Sequence, residues 1–173
     1  WFEIDPHHYF STNCQALTKT YVPDDNFEAY LEANGMGNGI ANDDSVFTHN
    51  IDTLSFLDIN FQNISDLTGI EAFTGLNIFY CEGNQLTSLD LSNNIALTVL
   101  NCSTNVLTSL NLSQNTALEY LECGLNQLTS LDVSGATALT DLYCDINQLT
   151  SLDVSNNTAL THLSCWINQL TNL

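Results

Sequence analysis

Positive charge is what this sequence has least of. One base, Lys19, stands against 20 acidic residues in 173, for a formal net charge of −19. A nucleic-acid binder displaces phosphate counterions with Lys and Arg, so that class is excluded. Anionic membrane surfaces are disfavoured for the same reason. An acidic surface suits cationic partners, divalent ions or a salty medium, or simply keeps a chain soluble. No uninterrupted apolar run approaches the ~20 residues of a membrane-spanning helix, and no membrane insertion is expected. HExxH, GxSxG and a phosphate-cradling glycine loop are all missing, so no enzyme is expected. The chain opens at Trp1 with neither a Met nor a signal-peptide pattern, which reads as a mature or trimmed product.

What is present is repetition, which must be sought before secondary structure. Cys81, Cys102, Cys123, Cys144 and Cys165 lie 21 residues apart. Around each runs LxxLxCxxNxL, as in "LEYLECGLNQL" and "LTDLYCDINQL", with Phe79 replacing one Leu in the first copy. Alternate strand residues face the same way, so in "LEYLEC" Leu121 and Cys123 face inward and Tyr120 and Glu122 outward. One coil cannot bury its apolar edge alone, whereas stacked coils share a continuous core. Neighbouring rungs are expected about 4.8 Å apart in a parallel sheet. Asn84, Asn105, Asn126, Asn147 and Asn168 then form a ladder at the bend, where amides satisfy backbone groups.

The second half of each repeat copies this spacing. In "LTSLNLSQN", Leu107, Leu110, Leu112 and Asn115 are placed as LxxLxLxxN, while Ala136 takes the Asn slot of "LTSLDVSGA". Short extended segments are therefore expected on the convex side, with Ala96, Ala117, Ala138 and Ala159 as a small-residue column at a corner. Upstream, residues 54–75 form one 22-residue repeat, where Ile64, Leu67, Ile70 and Phe73 suit short 3₁₀ turns. "VPDDNFEAYLEANG" predicts one amphipathic helix. Pro23, Asp24 and Asp25 start it, Phe27, Tyr30 and Leu31 form its apolar face, and Gly35 ends it. The expected organisation is an extension or linker over 1–20, a helical N-terminal cap over 21–53 and a solenoid over 54–173. The solenoid stops halfway through a repeat at "LTNL", which suggests a piece of a longer protein.

LxxLxCxxNxL is the leucine-rich-repeat framework with Cys in a slot often held by Leu. The "ISDLTGI" repeat resembles those of bacterial internalins, and the LxxLxCxxN–TSLDVSxNTA repeat resembles the cysteine-ladder repeats of internalin J-type surface proteins. Together with "YVPDDNFEAYLEANG", the arrangement is also similar to secreted leucine-rich-repeat proteins of the Bacteroidetes. The likeness covers residues 21–173. It implies a mainly β repeat solenoid, secretion or cell-surface residence, and a role in adhesion or protein binding.

Six cysteines in a secreted chain invite a disulfide reading. Thiols in one inward slot behave instead as small hydrophobes, and collinear thiols cannot surround a tetrahedral ion. The state of Cys14, outside the ladder, is open. His7 and His8 beside Glu3 and Asp5 are weak metal candidates. Asn34, Asn38, Asn42, Asp43 and Asp44 in "NGMGNGIANDD" suit calcium by donor type but lack the EF-hand spacing, and read first as a turn-rich loop. No cofactor is expected.

Comparing rung with rung, the inward slots barely change while the outward slots of the cysteine strand vary freely. One column reads Ile78, Val99, Tyr120, Asp141, His162. The next reads Tyr80, Asn101, Glu122, Tyr143, Ser164, and the third Glu82, Ser103, Gly124, Asp145, Trp166. Aromatic rings anchor interfaces and carboxylates select a cationic partner. The expected partner-binding residues are Tyr80, Glu82, Tyr120, Glu122, Asp141, Tyr143, Asp145, His162 and Trp166. The expected function is a non-enzymatic surface module recognising a protein through this face. The alternatives are a glycan-binding module using the same rings and acids, and a purely structural spacer. On the convex side, Thr87, Thr108, Thr129, Thr150 and Thr171 and the column Asp90, Asn111, Asp132, Asp153 read as solvated turn residues.

Overall fold

A short strand with one side chain pointing in and two pointing out, repeated at a fixed interval, stacks only one way, and the computed structural model shows that stack. It describes residues 18–171; Glu3, Asp5, His7, His8 and Cys14 lie outside them. The chain opens with β1 (Lys19–Tyr21), helix α1 (Asp25–Ala33) and β2 (Ser45–Phe47). The solenoid strands are β3 (Phe56–Asp58), β4 (Ile78–Tyr80), β5 (Val99–Asn101), β6 (Ser109–Asn111), β7 (Tyr120–Glu122), β8 (Ser130–Asp132), β9 (Asp141–Tyr143) and β10 (His162–Ser164). Six of them form one parallel sheet in the order β10-β9-β7-β5-β4-β3, and β6 and β8 pair in parallel on the return side of the coils. The result is a leucine-rich-repeat solenoid.

Register follows repeat length. Val99, Tyr120, Asp141 and His162 stand directly opposite one another in successive strands. The 22-residue first repeat sets Phe56 opposite Ile78 without breaking the alternation. The central residue of each strand from Leu57 to Leu142 is buried, as are Cys81, Cys102, Cys123 and Cys144. These thiols are free, and Cys165 in the last described coil is only partly covered. Burial pushes the Cys102 and Cys144 thiols up to about 12. The same cause drives Cys81 and Cys123 well above their ordinary range.

The asparagine ladder closes the bend. Asn126 Nδ2 donates to the Cys102 carbonyl at 3.0 Å and the Cys123 carbonyl at 3.1 Å, and its Oδ1 accepts from Leu107 N at 3.0 Å. Asn105, Asn147 and Asn168 make the same three bonds, and Asn84 does so with the first repeat. On the return side, the 3₁₀ turn expected in the 22-residue repeat is found at Ile70–Ala72. Extended segments are found where the 21-residue repeats place "SLN" and "SLD".

The helix begins and ends where its sequence signals stand. Asp24 accepts from Asn26 N and Phe27 N as N-cap, Phe27 and Leu31 are buried, and Gly35 follows in the left-handed region at φ 74°. Phe27 stacks on Phe73 of the first coil at 6.2 Å. The Tyr30 hydroxyl donates to the Asp58 carbonyl at 2.5 Å, so the helix supplies a partner to the edge strand β3. Lys19 and Thr20, expected within the leading extension, are strand residues. They pair antiparallel with Phe47 and Val46, which requires bringing Lys19 beside Ser45 and Asp43.

Candidate functional site: the outer face of the cysteine-strand sheet

Because inward positions are filled by Leu and Cys, everything that varies along the sheet points outward from a rigid parallel frame. Tyr120 and Tyr143, on adjacent strands and diagonal in register, meet with ring centroids 5.6 Å apart. Tyr80 packs edge-on against Phe56 at 5.8 Å. Phe56 is 52% exposed and extends the aromatic surface by one rung. It was absent from the expected site, although the 22-residue spacing to Ile78 was the signal that could have found it.

The carboxylates are held as well as displayed. Tyr120 Oη donates to Glu122 Oε2 at 3.1 Å, and partial burial together with that bond pushes the tyrosine up to about 12. Asn101 Nδ2 donates to Glu82 Oε2 at 3.2 Å. Asp145 Oδ1 accepts from Ser164 Oγ at 2.7 Å and from Trp166 N at 2.8 Å. Asp141 lies 2.9 Å from His162 Nδ1 and accepts from Thr140 Oγ1 at 2.6 Å. Asp141 and His162 therefore pair with each other. Trp166 is 60% exposed.

The expected residues divide between two hollows. A shallow cleft of about 310 Å³ is lined by Tyr80, Val99, Asn101, Tyr120 and Glu122. A second, of about 220 Å³, is bordered by Glu82, Glu122, Tyr143, Asp145 and Trp166. Asp141 and His162 line neither of these two. Ser103, placed by its column among the outward residues, is buried: its N–H and Oγ both donate to Asn101 Oδ1.

The return side carries a hollow of its own, about 490 Å³, along Ser88, Asp90, Ser109 and Asn111. Of the column expected as turn residues, Asn111 and Asp132 end strands β6 and β8, and Asp90, Asn111, Asp132 and Asp153 each accept from the backbone N–H of the serine two residues on. These bonds hold Asp90, Asp132 and Asp153 below the usual carboxylate range. In the 34–44 loop, Glu32 accepts from Asn38 N and Gly39 N, and Asp43 accepts from Lys19, Asn38 and Ser45. Among the described residues no group of three or more His, Cys, Asp or Glu is placed to hold a metal ion, and no helix is long and apolar enough to cross a membrane.

No family model matches the chain. Over 74 residues, 43% of the chain, it is 43% identical to internalin J of Listeria monocytogenes, a match spanning 8% of that relative's length. The solved functional domain of that species' internalin J, described as including a cysteine ladder, superposes on 90% of this chain and 44% of its own. The TM-score is 0.58 at 32% identity. A leucine-rich-repeat protein of Leptospira interrogans matches 73% of this chain and 34% of its own, with a TM-score of 0.64 at 25% identity. The chain thus spans less than half the length of each of these three. With thiols on successive rungs and asparagines at each bend, the chain is an internalin-like leucine-rich-repeat protein with a cysteine ladder.

Proposed function

We propose that this chain is a non-enzymatic, extracellular or cell-surface module that recognises a protein partner through the outer face of the cysteine-strand sheet. Leucine-rich-repeat solenoids serve as extended binding scaffolds, and site chemistry rather than fold must say where. The observation that carries the reading is the Tyr120–Tyr143 pair. Two large rings sit half-buried on a frame whose inner residues are constant, beside carboxylates pinned by hydrogen bonds. Rings of this kind are the residue type that anchors interfaces, and their low conformational freedom reduces the entropy lost on binding.

A glycan reading has one observation in its favour: the 310 Å³ cleft sets Tyr80 and Tyr120 beside Glu122, a ring-and-acid arrangement that can stack on a sugar. Replacing Tyr120 and Tyr143 together by Ala tests the face. The expected result is loss of partner capture from the organism's own surface fraction with an unchanged far-UV circular dichroism spectrum. Undiminished capture by the double variant would remove the face from consideration. Sugar hits on a glycan array, with no protein captured, would transfer the site to the second reading.

A further inference from the structure

Each of the five cysteine-bearing coils turns off the sheet through one residue in the left-handed region, the position before the ladder asparagine. The residues are Gly83 at φ 68°, Thr104 at 55°, Leu125 at 53°, Ile146 at 55° and Ile167 at 53°. In the first coil Phe61 at φ 56° holds the same slot. Glycine adopts this conformation without strain, whereas a β-branched side chain there is an outlier. At Gly83 the Phe61 ring of the preceding coil occupies the place a Cβ would take. Yet from Leu125 onward the slot holds large aliphatic residues, and Leu125 is 51% exposed although it sits mid-array between two flanking coils. Neither the backbone conformation nor burial explains Leu125, whereas Ile146 is half-buried.

They are also fixed in place. The N–H of Leu125 donates to the Asp145 carbonyl at 2.9 Å, and that of Ile146 to the Trp166 carbonyl at 3.0 Å, continuing the ladder through the bend. The aliphatic ridge borders the 220 Å³ hollow. Gly124 leaves the floor of that hollow open: a Cβ there would stand 3.2 Å from the Asp145 carbonyl oxygen. Also bordering the hollow, Glu82, Glu122 and Asp145 each spend one carboxylate oxygen on a bond within the sheet. The other oxygen of each makes no hydrogen bond among the described residues. The nearest cation in the sequence, Lys19, is bound to Asp43 in the cap.

We infer that this hollow is the docking subsite for a polypeptide segment carrying an Arg or Lys side chain next to an apolar residue. The basic head pairs with Glu122, with Asp145 one rung beyond it and Glu82 two rungs before it, and the apolar neighbour lies on Leu125 and Ile146. The inference rests on the proposed protein-binding role of the face and names what that face selects. Charge complementarity chooses the occupant, since the chain offers this hollow negative charge and no lysine or arginine of its own. An aliphatic ridge beside it matches the mixed apolar-and-charged anatomy of interface centres.

The test uses the whole 173-residue chain and an immobilised array of ten-residue peptides. Arg-Leu and Lys-Leu sequences are compared with copies in which citrulline or glutamine replaces the base. Basic peptides are expected to be retained at least tenfold over their neutral copies. Gly124→Lys, which fills the floor with a competing cation, is expected to abolish that preference. Leu125→Gly combined with Ile146→Gly is expected to lose tenfold or more of the retention while the thermal midpoint holds or rises, because strain is relieved. A fall in the midpoint would show that the two side chains serve packing, and would overturn the subsite. Equal retention of basic and neutral peptides would overturn it as well. Retention untouched by the ridge and Gly124 variants, with surface-fraction capture still lost in the Tyr120/Tyr143 variant, would end the subsite and keep the face. Loss of neither would end both. Glycan-array binding without peptide preference would overturn the polypeptide occupant.

Discussion

Asn126 and Asn115 occupy equivalent points of the two half-repeats, one below the cysteine strand and one below the return segment. Both are buried; Asn126 donates to a carbonyl of its own coil and one of the preceding coil, Asn115 to two of the preceding coil. Their acceptor oxygens differ. Asn126 Oδ1 takes the Leu107 N–H, while Asn115 Oδ1 has no hydrogen-bond partner, and neither do those of Asn94 and Asn157. The carbonyls on both sides keep a second donor, Leu91 and Asn94 from Asn94 N and Leu97 N, Cys102 and Cys123 from the amides of Asn105 and Asn147, so the contrast lies in the acceptor oxygen. The sheet half of each coil is thus bonded to completion and the return half is not. Accordingly Ala136 stands in the return column, while the sheet column holds Asn in each coil from Asn84 onward. Rigidity is concentrated under the face that varies.

The largest expected effect follows from that contrast. Asn126→Ala orphans the buried Leu107 N–H and strips a donor from two carbonyls, so it should lower stability by about 3 kcal/mol. Asn115→Ala should cost about 1 kcal/mol, since it leaves no backbone group unpaired. Urea midpoints of the two variants decide the matter, and equal losses would erase the distinction between the halves.

Alkali should act first through the ladder thiols of the sheet half. An unfolded thiol ionises near its ordinary value of 9.0, whereas burial holds Cys102 and Cys144 neutral up to about 12. A folded value raised in this way gives stability that is complete below about pH 9 and lost as pH rises toward 12. Thermal midpoints should therefore fall from pH 9 upward. A quadruple Cys→Val variant at Cys81, Cys102, Cys123 and Cys144 should delay that fall to about pH 10, where Tyr120 and Tyr30, also raised, begin to contribute. Alkylation of the native protein at neutral pH should spare these four and modify the half-covered Cys165 first among the ladder thiols.

Next in size is the joint between helix and first coil. Asp24 caps the helix with one carboxylate oxygen, and with the other it accepts from Ser65 N, Ser65 Oγ and Asp66 N. Partial burial opposes ionisation, but these hydrogen bonds outweigh it and hold the carboxyl below its usual range. Asp24→Ala should cost about 2 kcal/mol, more than a lone N-cap, as measured by chemical denaturation. The stabilisation is present above the unfolded carboxyl value and lost as pH falls through the folded one. Asp24→Asn should remove most of that acid sensitivity. The smallest effect belongs to the return side: Asp132→Asn copies Asn111 one rung earlier and should change stability by less than about 0.5 kcal/mol.

The solenoid was legible because a 21-residue period leaves strand register no freedom. Leu121, Cys123 and Asn126 had to lie where they do once the period was seen, and the outward columns followed. The helix cap was legible for a local reason, since Pro23, Asp24 and Gly35 act within a turn of where they stand. The bond from Asp24 to Ser65 was not, because it joins residues 41 apart with no period relating them. Phe56 was hidden by a repeat one residue longer than the rest. Leu125 and Ile146 were hidden by identity: aliphatic residues suggest interior positions, and only the glycine at 83 in the same slot marks the slot as a left-handed bend. Ser103 failed in the other direction, for a neighbouring amide drew an outward residue inside.

Constant register has one more consequence. Excising residues 102–122 would join Asn101 to Cys123 and leave the sentence grammatical, with every remaining side chain still above its counterpart. A gene that duplicates or drops such a unit alters the length of the recognition surface in increments of about 4.8 Å without redrawing the rest. Variation in reach is thereby separated from variation in chemistry, and each can be selected on its own.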